Sequence, residues 1–209
     1  MSERVFRDEA GAVIEYGDRW GFESPPDDSY SRTSNLDRFE PLHQVADALI
    51  DHLVSTYEVT VAPVEMDDAN RNCSTVKALR LTPSVENAAS LLFRFTDYPS
   101  VEVNAGLARH VVYPYCSCDA CDETWESCAE DIEDLVFAVA AGGFNEEVQL
   151  STNWNVPGKK GSLGYVIDDP ARDVFHASGN SVEVTDELRE TAALLDARPD
   201  RRWRPWGRR

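Results

Sequence analysis

Two stretches of the chain place apolar residues three and four positions apart, which is the spacing of one face of an α-helix. The first stretch covers residues 41–54 and has a proline, Pro41, in its first turn. The second covers about 123–141, with Asp122 as its predicted N-cap and Gly142 directly after its last turn. The pattern therefore predicts two long amphipathic helices.

Between these helices, apolar and polar residues alternate, as in strands with one buried face. In residues 90–96 one face carries Leu91, Phe93 and Phe95, so a half-buried strand is predicted. Short turns separate the strands and favour antiparallel pairing of neighbours. The predicted fold class is α+β, with an antiparallel meander sheet of four to five strands packed by two main helices. The predicted strands of this sheet are 58–62, 76–81, 90–96, 101–103 and 109–113.

The pattern divides the chain into four parts. These are an extended arm at 1–34, a core α+β domain at 35–145, a smaller C-terminal lobe at 146–197 and a basic Arg/Trp tail at 198–209. The arm holds several aromatic residues, which we expect to dock on the body, and a short strand at 12–16. The lobe should contain strands at 148–151, 162–167, 173–176 and 181–184, a hairpin turn at 178–180 and a helix capped by Thr185.

Charge is unevenly distributed along the chain. The formal net charge is −18, yet residues 198–209 carry six arginines and one aspartate, which leaves −23 for the rest. An acidic body repels nucleic acid, because binding to the backbone requires cations that neutralise phosphates. Arginine interleaved with tryptophan in the tail can grip phosphate and stack on bases. We nevertheless expect the tail to dock on its own acidic body or on a protein partner.

Other whole-chain features point to a cytoplasmic protein. No apolar run approaches the roughly 18–20 residues that span a bilayer, and the first residues lack the layout of an export signal. Five cysteines, three of them within six residues, make a poor disulfide framework and a better metal or thiol cluster.

Candidate chemistry is concentrated in the cysteine cluster. Cys116, Cys118 and Cys121 lie on one predicted loop, and tetrahedral zinc requires four thiolate or imidazole ligands. Cys128, on the apolar stripe of the second helix, is the predicted fourth ligand. Cys73 and His110 are alternatives that only the sheet would bring near. Closed, Cys-rich zinc sites are structural, so we expect a structural zinc.

The alternative to a metal site is a set of plain reduced thiols, and two chemical uses of the thiols also remain open. Cys121 precedes a helix N-terminus, where the helix dipole favours the thiolate and hence a reactive thiol, although the neighbouring acids oppose its ionisation. Cys118 and Cys121 also have the spacing of a redox pair, but the βαβ context of thioredoxin-like proteins is missing.

The residues around the cysteines resemble an actinobacterial protein family of unknown function. The likeness covers roughly residues 14–150 and includes the segments 35–43 and 95–100; Cys128 and the tail lie outside the family's pattern. It implies a bacterial protein and supports a domain boundary, but it carries no activity. The motif is Tyr113-Pro114, then Cys116-x-Cys118-Asp119-x-Cys121-Asp122-Glu123.

The sequence therefore favours a non-enzymatic binding or protein-interaction module with a zinc-holding Cys loop. No Ser-His-Asp arrangement or paired carboxylate stands out, so no catalytic residue is assigned. The alternative is an enzyme that uses the cysteines as thiol nucleophile, redox pair or metal site. A protein partner is compatible with this pattern, and the oligomeric state does not follow from it.

Overall fold

The computed structural model describes residues 4–8, 10–69, 71–150 and 160–209. Its α-helices are α1 (Pro41–Thr56), α2 (Trp125–Ala141) and α3 (Asp186–Asp196). Its strands are β1 (Phe6–Arg7), β2 (Val13–Ile14), β3 (Val59–Pro63), β4 (Thr75–Pro83), β5 (Leu91–Thr96), β6 (Val101–Ala105), β7 (Arg109–Tyr113), β8 (Phe144–Leu150), β9 (Lys160–Asp169) and β10 (Val174–Glu183).

The main sheet is the antiparallel meander that the sequence predicts, with β3 to β7 in chain order. One of its faces carries fully buried apolar side chains, among them Phe93 and Val103, which pair across β5 and β6. These residues share one hydrophobic core with the apolar faces of α1 and α2, including Leu53 and Leu135. The predicted α+β class is confirmed, because helices cover the face that alternation makes apolar.

The other face of β5 is buried too, which corrects the prediction of a half-buried strand. Arg94 lies there and is almost fully buried. It donates to Thr75 Oγ1 at 2.6 Å and to Asp68 Oδ1 at 3.0 Å, and it pairs with Glu102. The carbonyl of Cys73 accepts a further bond at 2.9 Å. The polar segment before β4 thus docks on this arginine and covers the strand.

A second, three-stranded antiparallel sheet has the order β10-β9-β8. It packs against α2 and α3, and Phe144 and Ile167 join the same core as the main sheet. The hairpin turn predicted at 178–180 is wrong, because β10 is continuous there and Gly179 pairs with Gly164 of β9. The chain turns at 170–173 instead. The predicted end of β8 at Ser151 lies outside the described residues.

The Arg/Trp tail folds back onto the body. Trp206 is 4% exposed; its backbone amide donates to the carbonyl of Ala140 at 2.9 Å and its indole to that of Ala89 at 2.8 Å. The backbone amide of the last residue, Arg209, donates a hydrogen bond to the carbonyl of Thr56 at 3.0 Å. The tail is therefore a structural latch that joins the ends of α1 and α2 to the β4–β5 connection.

A buried glutamate on β8 organises a neighbouring turn and the start of this tail. Glu146 accepts hydrogen bonds from the amides of Leu107, Ala108 and Arg109, at 2.7, 2.8 and 3.2 Å, and from the indole of Trp203 at 3.1 Å. Burial raises the pKa of Glu146, while the bonds from Leu107 and Ala108 oppose that rise. Sequence analysis assigned it no role.

Two further expectations concern membranes and domains. Within the described residues, every helix is too short or too polar to cross a bilayer. The predicted domain boundaries at 34, 145 and 197 stay predictions.

We expect Trp206→Ala to lower the free energy of unfolding by about 3–5 kcal/mol, because it empties a buried aromatic site and removes the bond to Ala89. Urea unfolding followed by circular dichroism measures this. The control is Phe22→Ala, which removes a fully exposed aromatic ring and should change stability by less than about 0.5 kcal/mol. Equal stability of the two variants would contradict the latch.

Candidate metal centre in the Cys loop

The cysteines lie on the loop between β7 and α2, which is held at both ends. At its C-terminal end, Thr124 caps α2 by accepting a hydrogen bond from the Ser127 amide at 3.1 Å. This corrects the predicted cap, Asp122. The guanidinium of Arg38, only 3% exposed, donates to the carbonyls of Ser117 at 2.9 Å and Glu123 at 3.3 Å. These contacts fix the course of the loop between β7 and α2.

Three of the four predicted ligands meet in this loop. The sulfurs of Cys116, Cys118 and Cys121 lie within 4.8 Å of one another, and those of Cys116 and Cys118 are 3.2 Å apart. Zn–S bonds of about 2.3 Å at tetrahedral angles place ligand sulfurs about 3.8 Å apart. The thiols thus need only small movements to share one ion. Cys121 is exposed and the other two are half-buried.

The surroundings of two of the thiols shift their pKa values in opposite directions. Burial acts to raise the pKa of Cys118, but donation from the Cys116 thiol and from the amides of Cys121 and Ala120 holds that pKa below its usual range. The bond to Cys116, with burial and the nearby Cys118, raises the pKa of Cys121 to about 12. The structure thus favours thiolate at Cys118 and not at Cys121. Amides that donate to a cysteine sulfur also support a metal-bound thiolate.

Asp119, which lies between the cysteines, anchors the N-terminal arm. It is fully buried and accepts from Arg32 Nε, from the Ser34 amide and from the Ser34 hydroxyl, each at 2.8 Å. Its own carbonyl accepts from the indole of Trp20 at 3.2 Å. Burial acts to raise the pKa of Asp119, but the bonds from Arg32 and Ser34 outweigh it and hold that pKa below its usual range.

Asp122, three residues after Asp119 in the same loop, also anchors the arm. Its Oδ2 accepts from the amides of Gly17 at 2.9 Å and Arg19 at 2.8 Å. Its backbone has a φ of 54°, in the left-handed region that aspartate tolerates better than most residues. Sequence analysis treated the two aspartates as a helix cap and as charges that oppose ionisation of the thiols, and it missed this anchoring role. The only sequence signal was their alternation with the cysteines.

The fourth predicted ligand, Cys128, is not part of the thiol group. It is 1% exposed on the core face of α2, where burial raises its pKa to about 12. Cys73 lies on the other side of the sheet, 3.9 Å from Arg94, and His110 pairs with Glu102 at 3.6 Å. Among the described residues, the three loop cysteines form the only group of three or more metal-ligating side chains.

Two clefts bear on the enzyme alternative. One lies where β7, α2 and the second sheet meet and includes Arg109, Asp131 and His176. The other lies on the second sheet around Tyr165 and Asn145. Neither contains a cysteine, so neither offers a thiol with a base in a shared pocket.

These features define a small α+β protein with a thiol-rich loop that clasps its own N-terminal arm. The chain belongs to DUF6226, a family of unknown function whose model matches residues 2–209. The matched range extends beyond the predicted 14–150 and covers the Arg/Trp tail. No curated protein and no solved structure matches the chain.

We expect iodoacetamide to alkylate Cys118 before Cys121 in the folded, metal-free protein at pH 8, although Cys121 is more exposed. The reason is that only the thiolate reacts, and the pKa is lowered at Cys118 and raised at Cys121. Peptide mass spectrometry after partial labelling gives the order. The preference should disappear in guanidinium chloride, and faster labelling of Cys121 in the folded protein would contradict it.

Asp119→Ala should release the arm, because it removes three hydrogen bonds to a buried carboxylate. We expect unfolding to require about 2–3 kcal/mol less and trypsin to cut faster at Arg19 and Arg32. The matched control is Asp18→Ala, which removes an exposed carboxylate from the same arm. Cleavage at the wild-type rate in Asp119→Ala would show that the arm is held by other contacts.

Proposed function

We propose that this protein is a non-enzymatic, cytoplasmic interaction protein whose Cys loop holds one structural zinc ion through Cys116, Cys118 and Cys121. The observation that carries the proposal is the convergence of three thiols within 4.8 Å on a loop shaped by other contacts. Thiolate ligands favour Zn²⁺ over the hard cations Mg²⁺ and Ca²⁺. All five cysteines are free, which agrees with a reducing compartment.

The electrostatics of the loop suit a thiolate–metal centre. Three thiolates around Zn²⁺ leave one net negative charge. The buried guanidinium of Arg38 donates into the loop at Ser117, and Arg19 Nη1 lies 3.8 Å from the Asp119 carboxylate. These cations offset part of the negative charge of the loop and its aspartates.

The proposed role of the metal follows from the order of residues. Asp119 and Asp122, which anchor the arm, alternate with Cys118 and Cys121, which would bind the ion. A bound metal would restrict the loop and with it both anchors, because ligand binding adds its free energy to the folded form. The zinc would therefore stabilise the docked arm.

The docked arm offers a surface for a protein partner. Phe22 is fully exposed and Tyr30 is 59% exposed on the arm, and Tyr115 of the Cys loop is 58% exposed. Exposed aromatic side chains are enriched in protein interfaces, where they supply much of the binding energy.

The experiment measures zinc in protein purified under reducing conditions. We expect about one equivalent by elemental analysis, and loss of it in Cys116→Ser, Cys118→Ser and Cys121→Ser. Cys73→Ser, on the other side of the sheet, should retain zinc. Removal of the metal by a chelator should speed tryptic cleavage at Arg19 and Arg32. The proposal is wrong if the purified protein contains no zinc and if trypsin cleaves the arm at the same rate with and without chelator.

A second candidate function is a thiol redox pair formed by Cys118 and Cys121. The opposite pKa shifts of these two cysteines favour it, since an attacking thiol is activated by a lowered pKa. Metal-free protein that forms a Cys118–Cys121 disulfide with glutathione disulfide, releasing two glutathione thiols, would favour this function over zinc binding.

A further inference from the structure

We propose, on the basis of the proposed zinc site, that the fourth coordination position of the metal is open to solvent and takes a neutral imidazole nitrogen from outside this chain. Zinc completes a tetrahedron with four ligands, so an ion held by three thiolates of this chain keeps one exchangeable position although its proposed role is to hold the loop. The three thiols Cys116, Cys118 and Cys121 are the only such group in the described part of the chain.

The acidic side chains nearest to the thiols are engaged in holding the loop. Asp119 binds Arg32 and Ser34, and Asp122 binds two amides of the arm. Glu123 accepts from the amides of Tyr115 at 3.2 Å and Cys116 at 2.7 Å. Recruiting Asp119 or Glu123 would leave N–H donors without partners. The Oδ1 atom of Asp122 has no hydrogen-bond partner among the described residues, but Asp122 is not part of the group of ligand atoms that lie within 4.8 Å of one another.

The two remaining cysteines and the histidines have other neighbours, and Cys73 lies 3.9 Å from Arg94. Cys128 lies in the core of α2, so bringing it to the loop would unpack the helix start. The four histidines have other neighbours: His43 Nε2 lies 3.2 Å from the Ser100 carbonyl, His52 contacts the ring of Phe137, His110 pairs with Glu102 and His176 with Asp134.

Exposure and charge indicate which ligand the open position accepts. Cys121 is the most exposed of the three thiols, so the ion would be reached from that side. A fourth thiolate or a carboxylate would raise the charge of the centre from −1 to −2 in a chain whose formal net charge is already −18. Imidazole ligates zinc as a neutral nitrogen and adds no charge. Among thiolate, carboxylate and imidazole ligands, the imidazole is therefore the one that fits, either of a small molecule or of a histidine on a basic protein segment.

Cobalt substitution tests the number of thiolates. In the Co²⁺-loaded protein, the near-ultraviolet sulfur-to-cobalt absorption per ion should be that of three thiolates and should be unchanged in Cys128→Ser. A loss of about one quarter in Cys128→Ser would indicate four thiolates and overturn the open position. If the wild-type protein binds neither Co²⁺ nor Zn²⁺, the proposed zinc site itself fails, which is a different result.

Ligand titration tests the open position itself. Added imidazole should shift the visible cobalt bands saturably in wild type and equally in Cys128→Ser. The same shift with acetate or glutathione, and none with imidazole, would overturn the choice of ligand. A histidine peptide flanked by lysines then distinguishes the sources: tighter binding than imidazole, weakened by salt, indicates a basic protein segment, and equal binding indicates a small molecule. No shift with any of these would overturn the inference.

Discussion

The buried carboxylate of Asp119 is the interaction on which the arrangement of the candidate site depends. A fully buried charge is tolerated only when it is paired and hydrogen-bonded, and Arg32 and Ser34 of the N-terminal arm provide this. Separation of the arm from the Cys loop would therefore expose that charge to solvent or leave it buried without a partner. Because Asp119 lies between Cys118 and Cys121, the constraint on the arm is also a constraint on the thiols.

The C-terminal tail is also held to the body by buried side chains. Trp206 fills a site in the common hydrophobic core, and Trp203 donates to the buried carboxylate of Glu146. The N-terminal arm, through Arg32 and Ser34, and the C-terminal tail, through Trp203 and Trp206, thus bind to the body by buried polar contacts that supplement apolar packing.

Local pattern was a good guide where local physics decides the structure. The apolar spacing of α1 and α2 and the alternation of β3 to β7 follow from helix and strand geometry, so the α+β class could be predicted. The predictions were wrong where a residue far away in the sequence determines the local structure. The residues around Gly179 have the composition of a turn, yet β10 pairs with β9 along its whole length, and this pairing keeps them in a strand. Asp122 looked like a helix cap, but amides of the arm hold it and Thr124 caps the helix.

The sequence by itself determined that three thiols share a small volume, because a span of six residues between strand and helix leaves them little room to separate. It also determined which faces of the helices and strands are apolar. Only the tertiary structure decided the roles of Asp119, Glu146 and Trp206. Their partners lie up to 117 positions away, and such hydrogen bonds form only when the core has brought distant segments together.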